Sequence, residues 1–130
     1  GVESCIVLSE RFTPEALQGI DEFSHVEVMF RFDRADPAKV VVGSRHPRNN
    51  PDWPAVGIFA QRGKDRPNHI GCTICRVVRC EGVRLYVSEL DATNGSPVLD
   101  IKPVLSGFLP REAVKQPPWA REIMERYWKP

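Results

Sequence analysis

Three stretches of this sequence set polar side chains directly beside apolar runs, where a rigid frame can hold charged groups in place. The first, LDATNGSPVLDIKP (residues 90–103), gathers Asp91, Ala92, Thr93 and Asn94 ahead of Asp100 and Lys102, which share one side of an extended run. A carboxylate, an amide and backbone donors so close together could read ribose hydroxyls, an amino group and an adenine edge. A polar hairpin turn followed by an Asp100–Lys102 ion pair accounts for the same residues without any ligand. In the second, GIFAQRGKDRPNHIG (residues 57–71), Arg62, Lys64 and Arg66 follow an apolar run and precede Pro67 and Asn68. Pro67 fixes its own φ and biases Arg66 toward extended backbone, so the guanidinium is presented for bidentate binding of a carboxylate or phosphate. The alternative is an Arg66 paired with Asp65 or another surface carboxylate in a tight turn. The third, FSHVEVMFRFD (residues 23–33), ends an alternating run at Phe32 and Asp33.

Cys72 and Cys75 form a CxxC. A structural zinc site takes about four ligands, and neither a second CxxC nor a closely spaced histidine pair accompanies this one. On a strand the two cysteines point to opposite faces. They are therefore read as packing residues, no metal is expected, and His25 is read as a strand histidine.

The elements that must position these clusters are mostly extended. HVEVMFRFD (25–33) alternates, with Val26, Val28, Phe30 and Phe32 on one side, as a half-buried strand does. Ser4–Ser9, Val56–Gln61 and Pro97–Pro103 predict further short strands, and IGCTICRVVRC–EG–VRLYVSEL predicts a hairpin with Glu81 and Gly82 at its turn. One short helix is expected from Thr13 to Gly19, with Thr13 as N-cap and Pro14 at its first position. A second runs through PPWAREIMERYW, where Trp119, Ile123 and Tyr127 lie beside Ala120, Met124 and Trp128 as a packing stripe. The stretch from Asp36 to Pro54 is expected to be irregular. The fold class expected is all-β, a small closed antiparallel β-barrel with short peripheral helices, since closure removes sheet edges.

A chain of 130 residues fits one domain, and no apolar run approaches the roughly 20 residues that cross a bilayer. Four cysteines are compatible with a reducing compartment, so a cytoplasmic location and no membrane partner are expected. The near-neutral total hides an asymmetry. Residues 1–38 carry three basic and eight acidic side chains, residues 39–79 eight basic and two acidic, and the rest seven of each. A basic segment of this kind suits a polyanionic partner met on one face, or is a solvated loop.

Taken together and in order, FSH with its alternating strand, GIFAQR then RPN then IG, and LDATNGSPVLDIKP resemble the TsaA-like (YaeB-like, TrmO) family. These are S-adenosylmethionine-dependent methyltransferases of N6-threonylcarbamoyladenosine beside the tRNA anticodon, and the resemblance extends from about Ile6 to Tyr127 and Trp128. It implies a β-barrel unlike the Rossmann type, consistent with the missing GxGxxG, working as a homodimer with S-adenosylmethionine near the subunit interface. By motif position it implies cofactor contact at Phe32, Asp33, Arg62, Cys72 and Asp91 to Asn94. For the reaction so implied, Asp91 and Asp100 are the candidate bases, Arg66 and Lys102 the receivers of the threonyl carboxylate or a phosphate, and Asn68 the orienter of the base in the anticodon loop. Asn94, Ser96, His69 and Val104 depart from the family's usual Asp, Thr, Pro and aromatic residue. Residues 1–130 are expected to be a single domain of the family that lacks its N-terminal strand and PRQ-like loop and the C-terminal domain of longer members. A β-barrel that binds the cofactor or RNA without transferring methyl is the alternative.

Overall fold

The computed structural model describes residues 2–125 and 127–128. Among these residues seven strands form: β1 (Glu3–Val7), β2 (His25–Arg31), β3 (Ser44–Arg45), β4 (Val56–Gly57), β5 (Ile70–Glu81), β6 (Arg84–Ser88) and β7 (Val98–Pro103). β3 and β4 make a two-residue antiparallel ribbon, and the other five make one sheet in the order β1-β6-β5-β2-β7. β1 pairs antiparallel with β6, and β6 with β5. One α-helix, α1 (Pro118–Met124), and six short 3-10 turns complete the described elements. The protein is thus β-dominated, and the sheet order runs from β1 at one end to β7 at the other.

Two compact units arise, one from residues 1–28, 73–91 and 100–130, the other from 29–72 and 92–99, with the boundary falling inside β2, β5 and β7. In the first unit Ile6, Leu17, Val26, Val28, Cys75, Leu85 and Val87 are buried, and in the second Phe30, Pro47 and Ile58. The alternation in β2 holds as expected: Val26, Val28 and Phe30 are buried while the residues between them are half-exposed. β5 alternates likewise, with Gly71, Thr73 and Cys75 on its buried face and Cys72 on the other.

Several local expectations are corrected. The hairpin loop is Gly82–Val83, one residue later than expected, because Glu81 still pairs with Arg84. Gly82 takes φ +60° at the first loop position, where a type II′ turn calls for glycine. Val56–Gln61 is a strand only at Val56–Gly57; Ile58–Ala60 turns as 3-10, burying Ile58 and leaving Phe59 80% exposed. The expected helix from Thr13 to Gly19 is a single 3-10 turn, Pro14–Leu17, with Thr13 at the N-cap without a side-chain bond, and a second 3-10 turn, Ile20–Glu22, follows Gly19 at φ +87°. The C-terminal helix stops at Met124, and Arg126 within the expected run lies outside the described residues. The region from Asp36 to Pro54 holds β3 and two 3-10 turns, one with Arg48 and Asn49 at positive φ.

Candidate functional site

Every residue expected to contact the cofactor except Asp91 falls in the second unit, which holds Phe32, Asp33, Arg62, Cys72 and Ala92 to Asn94. Thr93 to Ser96 form a turn closed by the Ser96 N–H on the Thr93 carbonyl at 3.0 Å. Gly95 takes φ +87° at its third position, the conformation that a type II turn requires there. The turn is tied to the residues that follow β2. Ser96 Oγ donates to Asp33 Oδ1 at 3.3 Å and lies 2.7 Å from Thr93 Oγ1, while Arg34 Nη2 donates to the Asn94 carbonyl at 3.3 Å. Arg34 was not singled out in the sequence, and Ser96 only as a departure from the family's usual Thr; Ser96 sits three residues from Thr93, a spacing that a turn brings together.

Phe32 is held from two sides. Its N–H donates to the His69 carbonyl at 2.7 Å, and its ring meets Phe30 edge-on at 5.3 Å. Gly71 lies against both rings, and a Cβ there would come within 2.6 Å of Phe30 and 2.8 Å of Phe32. Arg62 Nη2 donates to the Cys72 carbonyl at 2.7 Å, and the Cys72 thiol reaches Met29 Sδ at 3.8 Å. The structure thus joins Arg62 to Cys72, and Asp33 to the Thr93–Ser96 turn.

The loop between β4 and β5 is braced internally. Asp65 pairs with Arg45 at 2.7 Å, not with its neighbour Arg66, and both side chains are largely buried. Arg66 Nη1 instead donates to the carbonyls of Gln61 at 2.8 Å and Gly63 at 3.4 Å. The buried Gln61 amide spans the loop base by donating to the Arg45 and Val56 carbonyls, each at 2.9 Å. Asn68 Oδ1 accepts from the Ile70 N–H at 3.0 Å, which orients its amide. Of the basic segment, Arg45 is neutralised by Asp65, and Arg79 by Glu3 and Glu81 at 2.7 and 3.0 Å, so its positive field is weaker than the sequence count.

The first unit carries Asp91, Asp100 and Lys102. Asp91 accepts a hydrogen bond from the Tyr127 hydroxyl, a partner that the sequence placed in a packing stripe. Asp100 and Lys102 form the ion pair of the ligand-free alternative, at 3.1 Å on an exposed strand edge. The Lys102 ammonium, followed by the Ile101 N–H, holds the Asp100 carboxyl below the usual carboxylate range. A depressed folded-state value means that the pair stabilises the fold fully above the unfolded Asp value of about 3.9 and loses that effect as pH falls through the folded value. Lys102→Met is expected to raise the Asp100 titration midpoint in an NMR pH series; an unmoved midpoint contradicts the assignment.

Among the described residues no cluster of His, Cys, Asp and Glu could hold a metal ion, and no helix is long and apolar enough to cross a membrane. The donor set suits a nucleoside cofactor: Asp33 offers a carboxylate and Thr93 a hydroxyl to sugar hydroxyls or an amino group, and Phe32 an aromatic ring.

The family of the tRNA-methyltransferase O N-terminal domain matches residues 1–108. The chain is 33% identical over 117 residues to a tRNA (adenine(37)-N6)-methyltransferase of Homo sapiens, covering 88% of this chain and 26% of that protein. It is 42% identical over 89 residues to a putative S-adenosylmethionine-dependent methyltransferase of Pseudomonas aeruginosa, covering 68% and 38%. The crystal structure of TrmO from Pseudomonas aeruginosa superposes with a TM-score of 0.67 at 32% identity, covering 86% of this chain and 46% of that one. The chain therefore spans about a quarter to a half of these relatives' lengths, and by the match over residues 1–108 it belongs to the family of the tRNA-methyltransferase O N-terminal domain.

Proposed function

We propose that this domain transfers a methyl group from S-adenosylmethionine to N6 of N6-threonylcarbamoyladenosine in the tRNA anticodon loop, acting in the cytoplasm as a homodimer. The observation that carries the reading is that, in a chain of a methyltransferase family, every residue expected to contact the cofactor except Asp91 falls in one compact unit, with Asp33 tied to the Thr93–Ser96 turn. The cofactor supplies an electrophilic methyl group. The chain's task is to bring acceptor nitrogen and donor carbon to about 3–3.5 Å in line. Phe32, Asp33, Arg62, Cys72 and Ala92 to Asn94 hold the cofactor, with Asp33 accepting from its hydroxyl or amino groups. Arg62 orders the backbone at Cys72 from which that wall is made.

The acceptor nitrogen is a weak nucleophile and is helped by a hydrogen-bond acceptor or base. Of the two carboxylates considered, Asp100 is already paired with Lys102 at 3.1 Å. Asp91 takes the role, and Lys102 and Arg66 are each a receiver of the threonyl carboxylate or a phosphate. Arg66 is suited to this because one nitrogen is anchored on the loop carbonyls while the others have no protein partner among the described residues. Asn68 orients the unstacked base, the usual target of sequence-specific RNA recognition.

Dimerisation is supported by an apolar groove of about 580 Å³ in the first unit, walled by Ile74, Val104, Leu105, Leu109 and a Phe108 that is 84% exposed. In this reading the sheet also curls toward a barrel; the bulge between Val77 and Arg79 supports that, since bulges add local twist.

The test incubates the chain with S-adenosylmethionine and a tRNA pool and identifies methylated nucleosides by mass spectrometry. Methylated threonylcarbamoyladenosine is expected, with incorporation reduced by both Arg66→Ala and Asp91→Ala. Asp33→Ala should weaken cofactor binding about tenfold by calorimetry, the scale of one hydrogen bond to a charged group. Cofactor binding without any methylated nucleoside would instead establish the binding-module alternative.

A further inference from the structure

We propose that Tyr127 is a positioning residue that sets the Asp91 carboxylate for its partner, an inference that rests on the role given to Asp91 above. The family match ends at residue 108, so Tyr127 comes from the segment beyond it. That segment forms α1 and then turns, the Tyr127 N–H closing on the Met124 carbonyl at 3.2 Å. The half-buried phenol ring meets Trp128 edge-on at 5.0 Å and 79°, which restricts its swing. Its hydroxyl donates to Asp91 Oδ2.

Asp91 needs such a brace. It lies in a stretch without regular structure after Glu89, which takes φ +69°, and its side chain is exposed. An exposed carboxylate in a loop samples several rotamers, and each unproductive one lowers the fraction of molecules ready to react. The phenol occupies one oxygen. Oδ1 has no protein partner among the described residues, and an ionised carboxylate has lone pairs enough to accept from a second donor there. The tail thus fixes the carboxylate and leaves one face of it for an N–H or O–H of the nucleoside.

Docking of the tail alone would explain the contact equally well, so the experiment separates the two. In the ligand-free chain, Tyr127→Phe keeps the ring and removes the hydroxyl; the Asp91 carboxyl 13C resonance is expected to move. Methyl transfer to tRNA by this variant should fall about tenfold in kcat/KM with the urea unfolding midpoint little changed, as for loss of one charge-assisted hydrogen bond. Asp91→Ala should fall further, and Tyr127→Phe/Asp91→Ala should be no worse than Asp91→Ala alone, because the two residues act as one unit. An unmoved resonance, parental turnover in Tyr127→Phe while Asp91→Ala is impaired, or additive losses in the double variant each overturn the Tyr127 proposal and leave the function of Asp91 standing. Parental turnover in Asp91→Ala overturns the role of Asp91 and, with it, that of Tyr127. Should Tyr127→Phe loosen the fold, the double variant still decides by whether the losses couple.

Discussion

Gly71→Ala is expected to destabilise the protein by about 1–3 kcal/mol, the usual cost of forcing extra volume into a packed site. The added Cβ would lie 2.6 and 2.7 Å from two atoms of the Phe30 ring and 2.8 Å from Phe32. A clash with the tip of a flexible surface chain would be relieved cheaply. Phe30, however, is only 2% exposed and its ring is wedged edge-on against Phe32, so neither ring can yield without moving the other. Gly71 also lies next to Cys72, whose carbonyl receives Arg62, and Phe32 hangs from the His69 carbonyl two residues earlier. The strain therefore spreads to three residues assigned to the cofactor. Urea unfolding should show a lower midpoint at an unchanged slope, and calorimetry a weaker affinity for S-adenosylmethionine. A parental midpoint would mean that the rings have room that the structure denies them.

The contrast between β2 and Val56–Gln61 shows which parts of this fold could be read locally. In β2 the buried Val26, Val28 and Phe30 recur at the strand period, and a period of two over seven residues admits no helical reading. Val56–Gln61 is a short apolar run, which periodicity alone cannot assign, and its outcome is decided by the burial of Ile58 and of the Gln61 amide. The three motif segments were legible as clusters because each sets polar residues directly beside an apolar run. What joins them was not. Asp65 is adjacent to Arg66 in the chain, so proximity favours that pair; the fold supplies Arg45, twenty residues away, and leaves Arg66 for the loop carbonyls. Asp91 likewise finds Tyr127 from thirty-six residues away, a contact with no local signal because the tyrosine also completes an apolar stripe.

Disruption of the Arg45–Asp65 pair is expected to be the other large effect. Asp65→Ala should cost about 3 kcal/mol, since removing one member of a buried ion pair leaves its partner charged without compensation. The two side chains are 16% and 10% exposed, so water cannot take the place of the missing carboxylate. Arg45→Met should be comparably costly, for Asp65 Oδ1 already lacks a partner. The pair is itself imperfect, because Arg45 Nε is also buried without one. Arg45→Met/Asp65→Leu should therefore recover most of the lost stability, as replacement of a whole buried pair by apolar groups often does. Recovery of stability should not bring back cofactor affinity. Arg45 sits against Gly63, where even a Cβ would come within 2.7 Å of its guanidinium, so the charged side chain shapes the loop that carries Arg62, Arg66 and Asn68. Its replacement by a flexible thioether lets that loop relax while Val41 still bonds the Asp65 carbonyl at 2.8 Å. Urea unfolding of the two single variants and the double variant measures the coupling, and calorimetry with S-adenosylmethionine measures the loop. Additive stability losses would remove the ion pair from the account of the fold, and parental affinity in the double variant would show that the loop holds its shape without it.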